Sequence, residues 1–490
     1  MFIYFLVLFG IGYLAAGRVK DIKDYYVGGK KLGFWVAAFS SRATGASAWV
    51  LLGLTGMGAI FGVYAYWVAL GTLLGEAISW FVMAKPFKKL TDRYDSITVP
   101  DYLESRFQAS SHWLRGIAAT ALSLFVMIYV SAQIDATGTA FETFLNWNYF
   151  TGAIFGFLIV VAYMAFGGFV AVAWSDVFQG SIMVIGLLIL PVYFLWSIES
   201  PSEVIKGIEA LDPALLNIWG EEGFTALSVA KITGFLMIGL GYLGSPQLFV
   251  RYMSIKSTAE IDRGKWVAIS LTLFMNVSAV TIGILGRYHF TTSVDDPIAV
   301  LGNGGQNVLI LLVEELLPDV LSGLYIAAIL AAIMSTIDSL LVLASSAIAR
   351  DFYQKILHPN IKDEKLSIFS RKVTFVISLA ALVLAIAVAM ISPNRTIFWF
   401  VIFGWSGIAA TFCPVILLSL FWKGFTEKGA ISAMLSGFLC VPLFKFVFPA
   451  IPTYGVYFQH IAELFPSFII SILFGIIISK STKINEKNHD

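Results

Sequence analysis

Charge is what this sequence has least of. Only 13% of its 490 residues are Asp, Glu, Lys or Arg, while 58% are hydrophobic. Soluble chains carry about a quarter charged residues, so this deficit excludes an ordinary soluble domain. A formal net charge of +1 leaves no global basic or acidic face, and no nucleic-acid partner is expected. Cysteine is nearly absent. Cys413 and Cys440 both lie in apolar runs, which excludes a disulfide framework and reads as two small core residues. The five histidines, His112, His289, His358, His460 and His489, neither lie deep in an apolar run nor pair at metal-ligand spacing, which excludes a catalytic metal centre. Ten-residue strand alternation is also missing, so a membrane barrel is excluded.

What the sequence has in quantity is apolar length. Charged or turn-rich stretches divide it into thirteen candidate spans, near 2–17, 35–61, 64–83, 114–141, 150–166, 174–198, 228–250, 266–287, 319–349, 372–392, 396–422, 429–449 and 459–479. Spans of this length in lipid must be helices, because only internal hydrogen bonds satisfy the backbone there. The first lacks a preceding basic region and a clear cleavage site, so it is expected to be a retained helix rather than a signal peptide. Most of the 32 basic residues fall in alternate loops, beginning with Arg18 to Lys31 and Lys85 to Arg115. Lys and Arg concentrate on the cytoplasmic side. The expectation is therefore an inner-membrane protein with its N-terminus outside and its C-terminus in the cytoplasm.

Two spans look interrupted. Span two reads FSSRATGASAWVLLG, and span seven carries Gly239, Gly241, Gly244 and Pro246 within eight residues. Residues 239–244 also satisfy the dinucleotide pattern G-x-G-x-x-G, but they lie inside an apolar span instead of a strand-turn-helix unit, so nucleotide binding is not expected. Small residues can simply let helices pack closely. A matched pair of breaks, with five spans between their starts, fits better with the discontinuous helices of a five-plus-five inverted repeat. Such breaks expose carbonyls that can replace a cation's water shell. Ser335 and Thr336 offer two adjacent hydroxyls, although such a pair in a helix often just bonds its own backbone.

These segments, with DYYVGGKKLG (24–33), VPDYLESRF (99–107), GGFVAVAWSDVFQG (167–180), LGYLGSPQLFVRYM (240–253), AAIMSTIDSLLVLASSAIARDFY (331–353) and FCPVILLSLFW (412–422), resemble the solute:sodium symporter family, and within it the bacterial sodium/proline symporters. The resemblance runs over essentially the whole chain. It implies an all-α fold of the LeuT type in one transporter domain, 1–490, with repeats at 35–199 and 228–422 and with helices 1, 12 and 13 peripheral. It implies sodium as the coupling ion, held by main-chain oxygens of Ala43, Ala46 and Ala332 and hydroxyls of Ser335 and Thr336. Solute contacts carry over to Ser47, Ala48, Trp49, Tyr129, Ile238, Tyr242 and Pro246. A second cation region carries over to Asp176, Asp338 and Ser339.

The chain departs from the proline carriers at Gly45, where they have aspartate, at Ala46 (methionine), Ala48 (glycine) and Ile238 (tryptophan). The first change bears on sodium stoichiometry and the last on proline itself. Arg42, where those carriers have a small residue, puts a charge inside span two that needs a partner. Asp338, three residues past Ser335, is the expected one, with Asp176 sharing it, so that the guanidinium would stand in for a second ion. The alternatives are that Arg42 binds a solute carboxylate or snorkels to the cytoplasm. The expected function is sodium-coupled import of proline or another small amino acid by alternating access. The competing readings are a proton-coupled or uncoupled carrier of a small organic acid and a transporter-like sensor, the latter disfavoured because no signalling extension follows residue 490. No enzyme is expected. The expected partners are a small solute and the lipid bilayer, without an obligate protein partner.

Overall fold

The computed structural model describes residues 2–18, 21–109, 111–164, 168–197 and 200–487. Residue 167, which opens one family segment, and the repeat boundary at 199 lie outside them. Among the described residues every regular element is helical, apart from one isolated bridge between Leu32 and Ile255.

The helices used below are α1 (Phe2–Ala16), α2 (Phe34–Ala48), α3 (Thr55–Phe61), α4 (Tyr66–Ile78), α5 (Val99–Phe107), α6 (Trp113–Leu145), α7 (Tyr149–Met164) and α8 (Gly168–Ser197). They continue with α9 (Ala226–Met237), α10 (Pro246–Ser254), α11 (Thr258–Phe290), α12 (Asp319–Ser346), α13 (Asp363–Ile391), α14 (Ile397–Phe421), α15 (Glu427–Pro442) and α16 (Leu464–Lys487). Among the described residues ten helical stretches are long and apolar enough to cross a membrane, and Ile3–Ala15 and Tyr149–Ile159 are shorter apolar helices. The chain is an integral membrane protein. One of the ten, Phe34–Arg93, has 60 residues. At 1.5 Å per residue it would be about 90 Å long, three times a hydrocarbon core of about 30 Å. It cannot be one crossing, and the chain turns within it at Gly62, where φ is 60°.

Helix α12 is the hub. Its most apolar window is 94% buried against protein, whereas that of α13 is only 22% buried and presents its side chains to lipid. Helix α2 packs between α8, α11 and α12. With lipid outside, apolar burial does little to hold such helices together, and close backbone approach does more. A Cβ at Gly283 would lie 2.0 Å from the Thr55 carbonyl oxygen, and one at Gly75 would lie 2.0 Å from that of Gly239. These contacts seat α11 on α3 and α4 on the second helix break.

Candidate transport site

Both interruptions expected from sequence are present. Helix α2 breaks at Ser47, with φ 43° and ψ −172°, a conformation costly for any residue with a side chain. The surroundings hold it in place. The freed Ala48 amide donates to Gln133 Oε1 (3.1 Å), while the Trp49 indole returns to the Gly45 carbonyl (2.9 Å). The Ser47 hydroxyl accepts from Tyr129, from Gln133 and from the Trp49 amide, each at 3.4 Å. The second break runs from a 3-10 turn at Ile238–Tyr242 to Pro246, which opens α10. Proline costs nothing at a first helical position, where the N–H has no helical partner. The carbonyls freed there are taken by Trp405 Nε1 (to Ile238, 3.2 Å) and Cys413 Sγ (to Gly241, 3.4 Å). The 239–244 glycines are thus a helix break clasped by α14. Cys413 and Cys440 are both free thiols.

Between the two breaks lies a small cavity lined by Gly45, Trp49, Tyr129, Ile238, Tyr242, Val401, Ile402 and Trp405. Four expected solute contacts are on its wall. Ser47 and Ala48 instead hold the first break, and Pro246 opens the helix beyond the second. The remaining space is about 10 Å³, about what one water needs. The walls must part to admit a solute, and α14, which contributes Val401, Ile402 and Trp405, is one of those walls.

One turn below, oxygens converge. Ser335 Oγ lies 3.2 Å from the Ala43 carbonyl and 3.1 Å from that of Ala332, and Thr336 Oγ1 lies 3.1 Å from the carbonyls of both Thr44 and Ala332. The set is three carbonyls and two hydroxyls, without a carboxylate. That suits a hard monovalent cation, and no His/Cys/Asp/Glu cluster of the kind a divalent metal uses occurs among the described residues. Of the expected ion ligands, the structure brings Ala43, Ala332, Ser335 and Thr336 together. The Ala46 carbonyl accepts the Trp49 amide instead, and Thr44 was not anticipated.

The second cation region holds an arginine, but not the one expected. Arg251 on α10 donates from Nη2 to Asp176 Oδ2 (3.2 Å), Thr44 Oγ1 (2.7 Å) and Ser339 Oγ (2.5 Å), and from Nε to Ser40 Oγ (3.0 Å). Asp338 takes the Ser339 amide at 2.6 Å on Oδ1. The expected Arg42–Asp338 pair is therefore corrected. Arg42 Nη2 donates to Asn276 Oδ1 (2.6 Å), and Nη1 lies 3.7 Å from Glu76. The cause is helix phase. Ser40 and Thr44 are four apart and share the α2 face toward Asp176 and Ser339, whereas Arg42, midway between them, points to the opposite face. There it meets α4 and α11. Both partners of the Arg42–Glu76 pair are only 2% exposed, so removing either strands a buried charge, at about 3–5 kcal/mol. Arg42→Gln and Glu76→Gln should each cut uptake at least about tenfold per inserted molecule, with the double variant recovering part of it. A charge exchange between Arg42 and Asp338 should recover nothing.

Comparison with known proteins agrees with this geometry. The model of the sodium:solute symporter family matches residues 25–437. The osmoregulated proline transporter OpuE of Bacillus subtilis is 33% identical over 98% of this chain and 94% of its own length, and the high-affinity proline transporter PutP of the same organism is 34% identical over 94% and 95%. Among solved structures, a Na+-coupled sialic acid symporter, substrate-bound and outward-open, superposes with a TM-score of 0.77 over 98% of this chain and 96% of that one. At 18% identity that likeness shows a shared fold. The matched family and these relatives are transporters rather than enzymes, and sodium is the ion the family is named for. The chain belongs to the sodium:solute symporter family.

Proposed function

We propose that this protein imports proline or another small amino acid together with sodium, by alternating access around the cavity between the two broken helices. The observation that carries the reading is the convergence of five neutral oxygens on Ser335 and Thr336, about one helical turn from a closed cavity walled by Trp49, Tyr129, Tyr242 and Trp405. A hard cation held there fixes α2 against α12, and α2 carries Gly45 at the solute cavity and leads directly into Trp49 on its wall. Ion and solute then stabilise the same arrangement of helices, which is the physical content of coupling. The named proline transporters among its relatives support the solute class. Ile238 on the cavity wall stands where the proline carriers have tryptophan, so competition among amino acids is what separates proline from other small solutes.

The same reading places thirteen crossings in the bilayer, with the N-terminus outside and the C-terminus in the cytoplasm. It groups 35–199 and 228–422 as inverted repeats around the site, with helices 1, 12 and 13 peripheral. The test is uptake by proteoliposomes of labelled amino acids and small organic acids, with and without a sodium gradient. Sodium-dependent uptake competed by proline supports the reading. Uptake driven by a proton gradient alone, or of organic acids alone, rejects it. Trp49→Ala should weaken solute affinity about tenfold or more while leaving the protein in the membrane. Loss of insertion with affinity unchanged in the surviving protein would make Trp49 a packing residue.

A further inference from the structure

Formal charges fail to balance at two places, one beside α12 and one beside the π-helical turn that follows it. At the first, Arg251 faces two carboxylates, and Asp176 Oδ1 and Asp338 Oδ2 are buried without a hydrogen-bond partner. At the second, Arg115 bonds Asp351 Oδ1 (2.5 Å), Asp101 Oδ1 (2.7 Å) and Glu104, and Arg350 reaches Asp101 (3.4 Å). Three carboxylates there meet two guanidiniums. Burial raises the Asp101 pKa, but Arg350 and Arg115 more than offset this and hold it below the usual range, so its charge counts. Thr98 also donates to Asp351 Oδ1 (2.9 Å), while Oδ2 has no partner in a side chain that is fully buried.

A small cavity of about 20 Å³ borders both places. Arg251 and Ser339 line one end, Thr98 and Asp351 the other, and Ser346 lies between them. Ser335, Ser339 and Ser346 are spaced by four and seven residues, so they stand on one helix face. Beyond them a π-helical turn, Ala347–Leu357, widens the spiral, and Asp351, five residues past Ser346, returns to the same side. These hydroxyls thus mark one face of the chain between the five-oxygen site and a buried carboxylate oxygen that no side chain or backbone group satisfies.

We propose that the coupling cation leaves through this cavity, that Asp351 Oδ2 is its last ligand in the protein, and that the Arg115–Asp351 bond is the latch holding the mouth closed. A monovalent cation at Oδ2 cancels the excess negative charge of the cluster, and its departure restores that excess and the latch. This inference rests on the sodium-coupled reading above, and the assay separates the two. In proteoliposomes of the full chain, Asp351→Asn keeps the acceptor for Arg115 and Thr98 and removes the charge. Net sodium-driven uptake should fall about tenfold or more, with the external sodium for half-maximal uptake within about twofold of the parent. Exchange of labelled for unlabelled solute, with saturating sodium on both sides, needs no sodium release and should keep the parent rate. Ser346→Leu, which fills the cavity without altering any charge, should give the same split. Exchange slowed as much as net uptake in both variants, or net uptake unchanged in both, overturns the assignment. Sodium-independent uptake by the parent protein would overturn the function and not this route alone.

Discussion

Arg251→Gln is expected to abolish solute uptake while the protein still inserts. Arg251 is 1% exposed and its guanidinium bonds three helices besides its own, through Asp176, Ser339 and the pair Ser40 and Thr44. Glutamine leaves Asp176 and Asp338 facing one another without a cation. Breaking a buried pair by removing one partner costs about 3–5 kcal/mol, enough to lower the population of competent carrier more than about a hundredfold. Arg251→Gln combined with Asp176→Asn removes one charge of each sign and should restore a measurable part of the uptake. Transport by the single variant near the parent rate would show that the cluster does not depend on its arginine. No gain in the double variant would show that Arg251 acts by something other than charge balance.

The second large effect belongs to the five-oxygen site. Thr336→Ala removes one of two hydroxyls and leaves the three carbonyls in place. We expect the sodium concentration for half-maximal uptake to rise at least about tenfold, or roughly 1.4 kcal/mol. Ser335→Ala should act in the same direction, because each hydroxyl touches a carbonyl of α2 as well as its own helix. A serine and a threonine that served only their own backbone would contact Ala332 and nothing on α2. Sodium titration of uptake in both variants decides this, and an unchanged sodium requirement in both rejects the site.

The two helix breaks were legible because their residues are locally unusual, namely small polar residues in one apolar run and four Gly or Pro residues in the other. Ser335 and Thr336 were legible through the family segment that contains them. The arginines were misread for opposite reasons. Arg251 lies five residues before Lys256 in the sequence and reads as part of a basic loop, yet α10 carries it inward to Asp176. Arg42 reads as buried from its place in span two, but its partner depends on the face of α2 it occupies, which the span alone does not give. Glu76, the one acidic residue within span 64–83, was the available signal for that partner. Gln133 and Trp405 were missed because a lone polar or aromatic residue in a long helix has many bland explanations. Their roles follow from the carbonyls and amides that broken helices leave to be satisfied, and that accounting needs the neighbours in place.

The five-oxygen site bears on how transport responds to voltage. Its ligands are carbonyls and hydroxyls, so nothing in the set neutralises a bound ion. With one sodium ion in this site and a zwitterionic solute, the carrier of the proposed cycle is more positive loaded than empty by one full charge. A carboxylate among the ligands would have shifted that charge to the empty carrier, and voltage would then pull on its return. Here an inside-negative potential acts on the loaded half of the cycle, supplying about 2.3 kcal/mol per 100 mV for each charge that crosses the whole membrane. On the proposed function, transport is therefore electrogenic on the inward stroke, with the empty carrier's return set by its own conformational barrier.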